Sequence, residues 1–421
     1  MPNVWLLPLS DLTPEQQRVV ELPPDDHRLV LGPPGSGKTQ VLIHRANYLQ
    51  QKYKVSHDRY RVFVFTNVIK EYIRSGFEFL HLPDDAVSTF DYWCCDMYEK
   101  HISRRLPFQN NSRIVNFPKV RADVLNLLRS RSNLRFPLDF IMVDEGQDLA
   151  PDVYEIMRLI SRHVTVFADP AQKIFEDGAS EKFIVETLGI QKRYLSLLGD
   201  YRNAAYVAQL ASHFIPDVQA RSQFLMQIHT EQKVKEKPLL FIAPDFDSEI
   251  DRLAEIIKQR QLNNERIGII VPTNRLLHGI AAGLEERETH VEKAVKVERG
   301  KKVDISCDFG NLIPKIATFY QAKGLTFDTV MLPRLGNRAF PRTFGEARQK
   351  MLFVGIARAT QWVYLSTVQI DGFDEMQILG EAERDGHLTI QKAAQWQRAF
   401  PTAGQKVDKT KKKDEDDYSV L

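Results

Sequence analysis

The sequence predicts an α/β protein of two tandem domains, each built on a parallel sheet. Short apolar runs rich in Val, Ile and Phe alternate with longer segments of helical period, the pattern of βαβ units. The alternation runs through both halves of the 421 residues, a length that at roughly 100 to 200 residues per domain accommodates two or three domains.

In the first half the strand candidates are RLVL (28–31), RVFVF (61–65), FIMV (140–143) and VTVF (164–167), each followed by a helical stretch. In the second half they are LLFIA (239–243), IGIIV (267–271), PKIATF (314–319), TVMLP (329–333) and WVYLS (362–366). The boundary is expected within 200–235, where LGDYRN leads into a helix-like segment and the charged EQKVKEK precedes the next strand. This gives a first domain over 1–200 with a small insertion at about 91–135, a second over 201–400, and a tail over 402–421. The tail holds KTKKKDEDDYSV, a Lys block and an acidic block with almost nothing to bury, so disorder is expected there.

The 57 Lys and Arg against 55 Asp and Glu leave a formal charge of +2, which excludes a chain that holds nucleic acid by bulk charge. Binding of a polyanion must therefore be local. Cys94, Cys95 and Cys307 are too few and too poorly spaced for a disulfide framework or a zinc site. No stretch approaches the ~20 apolar residues that span a bilayer, so a soluble, cytoplasmic protein with no membrane partner is expected.

GPPGSGKT at 32–39 fits G-x-x-x-x-G-K-[ST], follows the strand RLVL and precedes a helical stretch. In such a loop Gly35, Ser36 and Gly37 let backbone N–H groups turn toward a phosphate, and the helix N-terminus adds its positive end. Lys38 is placed to neutralise β/γ oxygens, and Thr39 to ligate Mg²⁺. A P-loop needs a carboxylate partner, which FIMVDEGQD supplies at the carboxyl end of a neighbouring parallel strand. Asp144 suits the Mg²⁺ shell, and Glu145 the polarisation of an attacking water. ATP and Mg²⁺ are the expected cofactors.

With GPPGSGKT and DEGQD together, the chain resembles the UvrD, Rep and PcrA group of superfamily 1 helicases. Further blocks in the family's order carry the resemblance from residue 12 to 367. LTPEQQRVV resembles the Q-motif, FTNVIKEYI motif Ia, VSTFDYW the following DNA-contacting motif, and FADPAQKIF motif III. LGDYRN resembles motif IV, ATFYQAKGLTFDTV motif V, and LFVGIARATQWVYLS motif VI. The resemblance implies two RecA-like domains, 1A and 2A, with ATP bound between them and single-stranded DNA, or RNA, lying across both.

By that resemblance Gln16 reads adenine, Gln172 senses the γ-phosphate, and Tyr201 lies against the base. Arg202 and Arg358 reach the γ-phosphate, Arg358 as the finger from the second domain, and Gly324 joins the nucleotide-binding set. Thr66, Asn67, Thr89, Phe90 and Thr318 contact the strand. Both arginines lie too far along the chain to belong to the P-loop sheet, so they reach ATP only across a domain cleft, which couples chemistry to domain motion.

The departures fall mostly on strand contacts. Thr326 stands where the family has a ribose-contacting Glu. Phe319 and Tyr320 follow Thr318 where the family reads TxH, Asp91 replaces a DNA-contacting His, and Ala357 replaces Thr in motif VI. The segment after Gln172 is shortened to IFEDGA, which removes the stacking Trp and leaves Phe175 or Tyr320 as candidates to replace it. About 115 residues separate Arg202 from Thr318, too few for a full 2B insertion.

Residues 101–135 carry Arg104, Arg105, Arg113, Lys119, Arg121, Arg129, Arg131 and Arg135 against Asp123 alone, a candidate phosphate track or protein-docking face. The weaker Lys293–Lys302 cluster, with Glu298 interleaved, reads as a solvated hairpin. Retention of the hydrolytic residues favours an ATP-dependent translocase or helicase on single-stranded DNA, moving 3′ to 5′ by resemblance. The alternative, which a resemblance to short UvrD-like proteins that occur beside nucleases in bacterial antiphage systems suggests, is a nucleic-acid-gated ATPase switch that regulates or recruits a partner nuclease without unwinding. A small-molecule kinase or GTPase is disfavoured, since no NKxD element stands in strand context and no kinase lid is evident.

Overall fold

The computed structural model describes residues 5–110, 114–169, 178–191, 195–197, 199, 204–226, 236–299, 302–340, 345–369 and 372–393. Two parallel sheets dominate it. The first is formed by β1 (Arg28–Leu31), β2 (Tyr60–Val64), β3 (Val87–Thr89), β4 (Leu138–Val143), β5 (Ser161–Ala168) and β6 (Leu195–Leu197), in the order β3-β2-β4-β5-β1-β6. Helix α1 (Pro14–Glu21) precedes β1, and between the strands run α2 (Lys38–Lys52), α3 (Asn67–Phe79), α4 (Phe90–His101), α5 (Phe117–Ser130), α6 (Pro151–Ile160) and α7 (Glu181–Leu188). The acidic strand end is not adjacent to the P-loop strand as the sequence suggested, because β5 pairs with both β1 and β4 and separates them.

The second unit begins with α8 (Ala205–Ser212) and α9 (Val218–Met226), followed by β7 (Leu239–Ala243), α10 (Phe246–Leu262), β8 (Ile267–Val271) and α11 (Asn274–Glu285). It continues through β9 (Glu292–Lys293), a hairpin of β10 (Lys296–Arg299) and β11 (Lys302–Ile305), β12 (Lys315–Thr318), α12 (Phe319–Ala322) and β13 (Phe327–Leu332). It ends with α13 (Glu346–Ile356), β14 (Ala359–Val368), α14 (Met376–Arg384) and β15 (Thr389–Lys392). The strand order is β15-β7-β14-β13-β8-β12-β9, every neighbouring pair parallel. Ala204 N–H donates to Thr360 O at 2.9 Å, and α8 packs on α13 and β14, so the chain from residue 204 belongs to this unit.

Helices cover both faces of each sheet, which is why the inner strands read as continuous apolar runs; β8 is buried along its whole length. One buried cluster lies on the α4–α7 face of the first sheet and another among β7, β8, α10 and α11 of the second. A third draws on both units, joining Val41, Ile69 and Phe77 to Phe319, Leu325 and Phe353. Helix α3 also touches α12 and β11, so the hairpin expected to be solvated rests against the first unit. Arg45, fully buried, donates to the carbonyls of Val19, Val20 and Leu22 and to Thr165, anchoring the C-terminal end of α1 over α2 and β5.

No helix among the described residues is long and apolar enough to cross a membrane. Cys94, Cys95 and Cys307 are free. The tail over 402–421 lies outside the described residues.

Candidate nucleotide site between two sheets

The P-loop runs from the end of β1 into α2. Gly35 at φ +82° and Gly37 at φ +78° turn its backbone through conformations open to glycine. Gln16 holds the loop in place: its side-chain amide donates to Ser36 O at 2.9 Å, and its Oε1 accepts from Thr13 N–H at 3.0 Å within the capping box of α1. The residue expected to read adenine thus ties α1 to the loop. Ser36 Oγ is buried without a hydrogen-bond partner, as a group facing a phosphate would be. Lys38 Nζ curls back to donate to Gly32 O at 2.8 Å and Pro33 O at 3.0 Å, and lies 3.9 Å from Asp169 at the end of β5.

Thr39 Oγ1 donates to Asp144 Oδ2 at 3.1 Å, so two oxygen donors suited to Mg²⁺ already stand together. Burial, reinforced by Glu145, pushes the Asp144 carboxyl up to about 7, the state of a buried acid that gains from a cation. Glu145 sits in the left-handed region at φ +51° and accepts from Gln147 Nε2 at 2.6 Å. Its burial alone would raise its pKa, but Lys323, Lys38 and Arg358 hold it below the usual value, ionised as a base must be. Gln147 Oε1 in turn accepts from Asp169 N–H at 2.9 Å, which fixes Glu145 against β5.

The second unit supplies the remaining charge. Arg358 leaves the C-terminal end of α13, buried, with Nε donating to Val354 O at 3.1 Å. Desolvation lowers its pKa, opposed by the nearby charges of Glu145, Asp169 and Asp144. Lys323 forms a buried ion pair with Asp148 of DEGQD, a link between the two units. Gly324, at φ +80°, passes so close that an added Cβ would stand 2.9 Å from Ile69 Cδ1 and 3.6 Å from Glu145 Oε1. The positive φ and the close approach to Ile69 call for glycine where the chain passes Glu145. Thr326 lines a narrow cleft shared with Trp5, Tyr72 and Phe309. Gln172, Phe175, Tyr201 and Arg202 lie outside the described residues.

The threonines expected at the strand share one geometry. Thr66, Thr89 and Thr318 follow β2, end β3 and end β12, and cap α3, α4 and α12 by accepting from Ile69, Tyr92 and Gln321 N–H. Asn67 follows, half-buried. Sequence reasoning missed a counterpart in the second unit: Thr273 after β8 caps α11, with Asn274 exposed beside it. The recurrence of Thr-Asn after an apolar strand, FTN at 65–67 and PTN at 272–274, was the signal that could have found it. Gln147, Asp148, Asp169 and Lys323 were also missed as site residues, although the first two lie inside DEGQD.

Other strand candidates are occupied within the protein. The Phe90 ring is buried against Phe63 and Trp93, with centroids 5.0 and 5.8 Å away, and is core where a strand contact was expected. Phe90→Ala is accordingly expected to cost about 3–5 kcal/mol, read as a lower denaturant midpoint. Asp91 accepts from Arg121 at 2.8 Å, and Arg121 also donates to Asp152 at 2.8 Å. Lys119 pairs with Asp123, Arg129 with Glu155, and Arg135 donates to the carbonyls of Leu128 and Arg129. Much of the expected basic patch is thereby spent, while Arg104, Arg105 and Arg131 are exposed and Arg113 lies outside the described residues. Tyr320 is half-exposed and meets Phe65 edge-on at 5.9 Å, across the two units.

Two family models match. Residues 12–133 match the UvrD/REP helicase N-terminal domain, and residues 304–369 the UvrD-like helicase C-terminal domain. A search of curated proteins found no match. Among solved structures, the chain is similar to the C-terminal domain of a possible DNA helicase from Lactobacillus plantarum WCFS1, with 15% identity and a TM-score of 0.34 over 46% of this chain and 99% of the other. A likeness that weak carries no argument about function. The two parallel-sheet units are tandem RecA-like domains, each reached by one of the two family models. The two matches, over 12–133 and 304–369, support a UvrD-like helicase, the kind of ATP-hydrolysing DNA helicase grouped in superfamily 1.

Proposed function

We propose that this protein couples ATP hydrolysis between its two domains to movement along single-stranded DNA, 3′ to 5′. The observation that carries the reading is Arg358, delivered from the second domain into the electrostatic field of Asp144, Glu145 and Asp169 of the first. ATP fits the P-loop, whose buried Ser36 hydroxyl is without a partner, and Mg²⁺ suits the Thr39 and Asp144 oxygens, where it would offset phosphate charge.

In the proposed cycle Lys38 leaves its loop carbonyls for the phosphates. Glu145, oriented by Gln147, takes the proton of the attacking water, and Arg358 meets the charge that develops on the γ-phosphoryl oxygens. Loss of that phosphate releases the hold of Arg358, so the domains part. The strand would run over the helix N-termini capped by Thr66, Thr89, Thr273 and Thr318, whose backbone N–H groups suit phosphates. Asn67 and Asn274 would lie beside them.

ATP hydrolysis is expected to rise severalfold with single-stranded DNA, with single-stranded RNA tested in parallel. Hydrolysis indifferent to nucleic acid would overturn the motor. Strand displacement on 3′-tailed but not 5′-tailed duplexes checks the direction. One observation favours the second reading, an ATPase switch acting on a partner such as a nuclease: Phe90 is in the core and Asp91 is bound to Arg121, so two strand-contact positions serve folding. A switch would hydrolyse ATP on single strands yet leave both tailed duplexes intact.

A further inference from the structure

We propose that His213, Asp385 and His387 form a binding site for a zinc-class divalent cation on the second domain, using no residue of the nucleotide site. They come from two places in the second domain. His213 follows the last turn of α8, and Asp385 and His387 occupy the turn between α14 and β15. His213 Nε2 lies 3.1 Å from His387 Nδ1 and 3.7 Å from Asp385 Oδ2, and the ligand atoms all fall within 4.8 Å of one another.

Those separations suit one ion. Tetrahedral Zn²⁺ with nitrogen ligands at about 2.0–2.1 Å sets two ligand nitrogens about 3.3 Å apart. The imidazoles need to part by only a few tenths of an ångström, and the carboxylate to swing toward His387 by up to about 1.5 Å. The turn is fixed for the purpose: Gly386 at φ +77° lets the chain reverse, and the N–H groups of Asp385, Gly386 and His387 donate to the carbonyls of Glu381, Glu383 and Ala382 at 2.8–2.9 Å. The Asp-x-His pair is thereby held on one side of the turn. The His213 side chain is only 8% exposed and Asp385 is 60% exposed, so solvent can fill a fourth position.

The donor set also selects the ion. Two imidazoles and a single carboxylate suit Zn²⁺, Co²⁺ or Ni²⁺ better than Mg²⁺ or Ca²⁺, which take oxygen ligands. Burial lowers the pKa of both histidines, and a tautomer shift that moves the proton between His213 Nε2 and His387 Nδ1 to the outer nitrogen of its ring presents both lone pairs to the ion. Arg221 and Lys237 also face the histidines, so acidic surplus is not what would draw the ion; ligation by nitrogen is. A bound ion would staple α8, the first helix after the interdomain connection, to the β15 edge of the second sheet.

The test uses the full chain, stripped of metal and titrated with Co²⁺ as a visible reporter, then with Zn²⁺ as competitor. One equivalent with tetrahedral absorption is expected, displaced by Zn²⁺, with a thermal midpoint that rises with Zn²⁺ concentration. His387→Gln and Asp385→Asn, both at accessible positions, are expected to weaken binding at least about tenfold and to abolish that midpoint shift. Asp144→Asn, at the nucleotide site, is expected to leave the Co²⁺ band intact. Absence of the band, or equal binding by native protein and both turn variants, would overturn the site and leave the histidines as a hydrogen-bonded pair.

Discussion

Glu145→Gln is expected to lower the ATP turnover number by about 10² to 10⁴-fold while nucleotide still binds. The substitution keeps the shape of the side chain and removes only its capacity to take a proton. Three cations surround the native carboxylate, Lys38 from the P-loop and Lys323 and Arg358 from the second domain, and together they outweigh its burial. A glutamine in the same place can still turn its amide oxygen to Gln147 Nε2 while Gln147 Oε1 stays on Asp169 N–H, so local packing survives. Single-turnover hydrolysis together with binding of a fluorescent ATP analogue separates the two effects. A variant that binds nucleotide and hydrolyses it at the native rate would remove Glu145 as the base.

The second large effect is expected at Arg358. Arg358→Ala removes a guanidinium that the second domain delivers to the acids of the first, a role worth about 10³ to 10⁵ in turnover for arginine fingers. Its Nε is anchored on Val354 O within its own helix end, so the head group is aimed before nucleotide arrives. Arg358→Lys is expected to recover little, since an ammonium lacks the planar fork that spans two oxygens. Deleting a buried cation also leaves acids uncompensated, so thermal unfolding has to be followed beside turnover. Loss of hydrolysis at unchanged midpoint assigns the effect to catalysis, and undiminished hydrolysis would refute the finger.

The P-loop was legible in sequence because every part of it is local: the strand, glycines, Lys38 and Thr39 lie within a dozen residues, and RLVL matches β1 residue for residue. The inner strands were legible because burial on both faces leaves an unbroken apolar run, as in IGIIV. Edge strands gave no such signal. β3 has three residues, and β15 reads TIQK with its last residue exposed. At the site, residues inside a motif could be named but their partners could not. Nothing local in KGLTF says that Lys323 meets Asp148, 175 positions earlier, because that pairing exists only once the domains meet. Phe90 failed for the reverse reason: its place in the motif suggested a surface contact, and the packing of the first turn of α4 set the ring against Phe63 of β2.

The buried Lys323–Asp148 pair bears on how the enzyme stands without nucleotide. With Lys38 beside Asp169 and Arg358 near Glu145, each cation at the interface has an acid close by, and a proton on Asp144 removes the surplus negative charge. The shut cleft is therefore its own counter-ion atmosphere. A nucleotide entering as a polyanion upsets that neutrality, and a divalent cation in place of the Asp144 proton restores part of it. The resting enzyme then behaves as a salt-filled latch, which the metal-bound nucleotide opens by exchanging one set of ions for another.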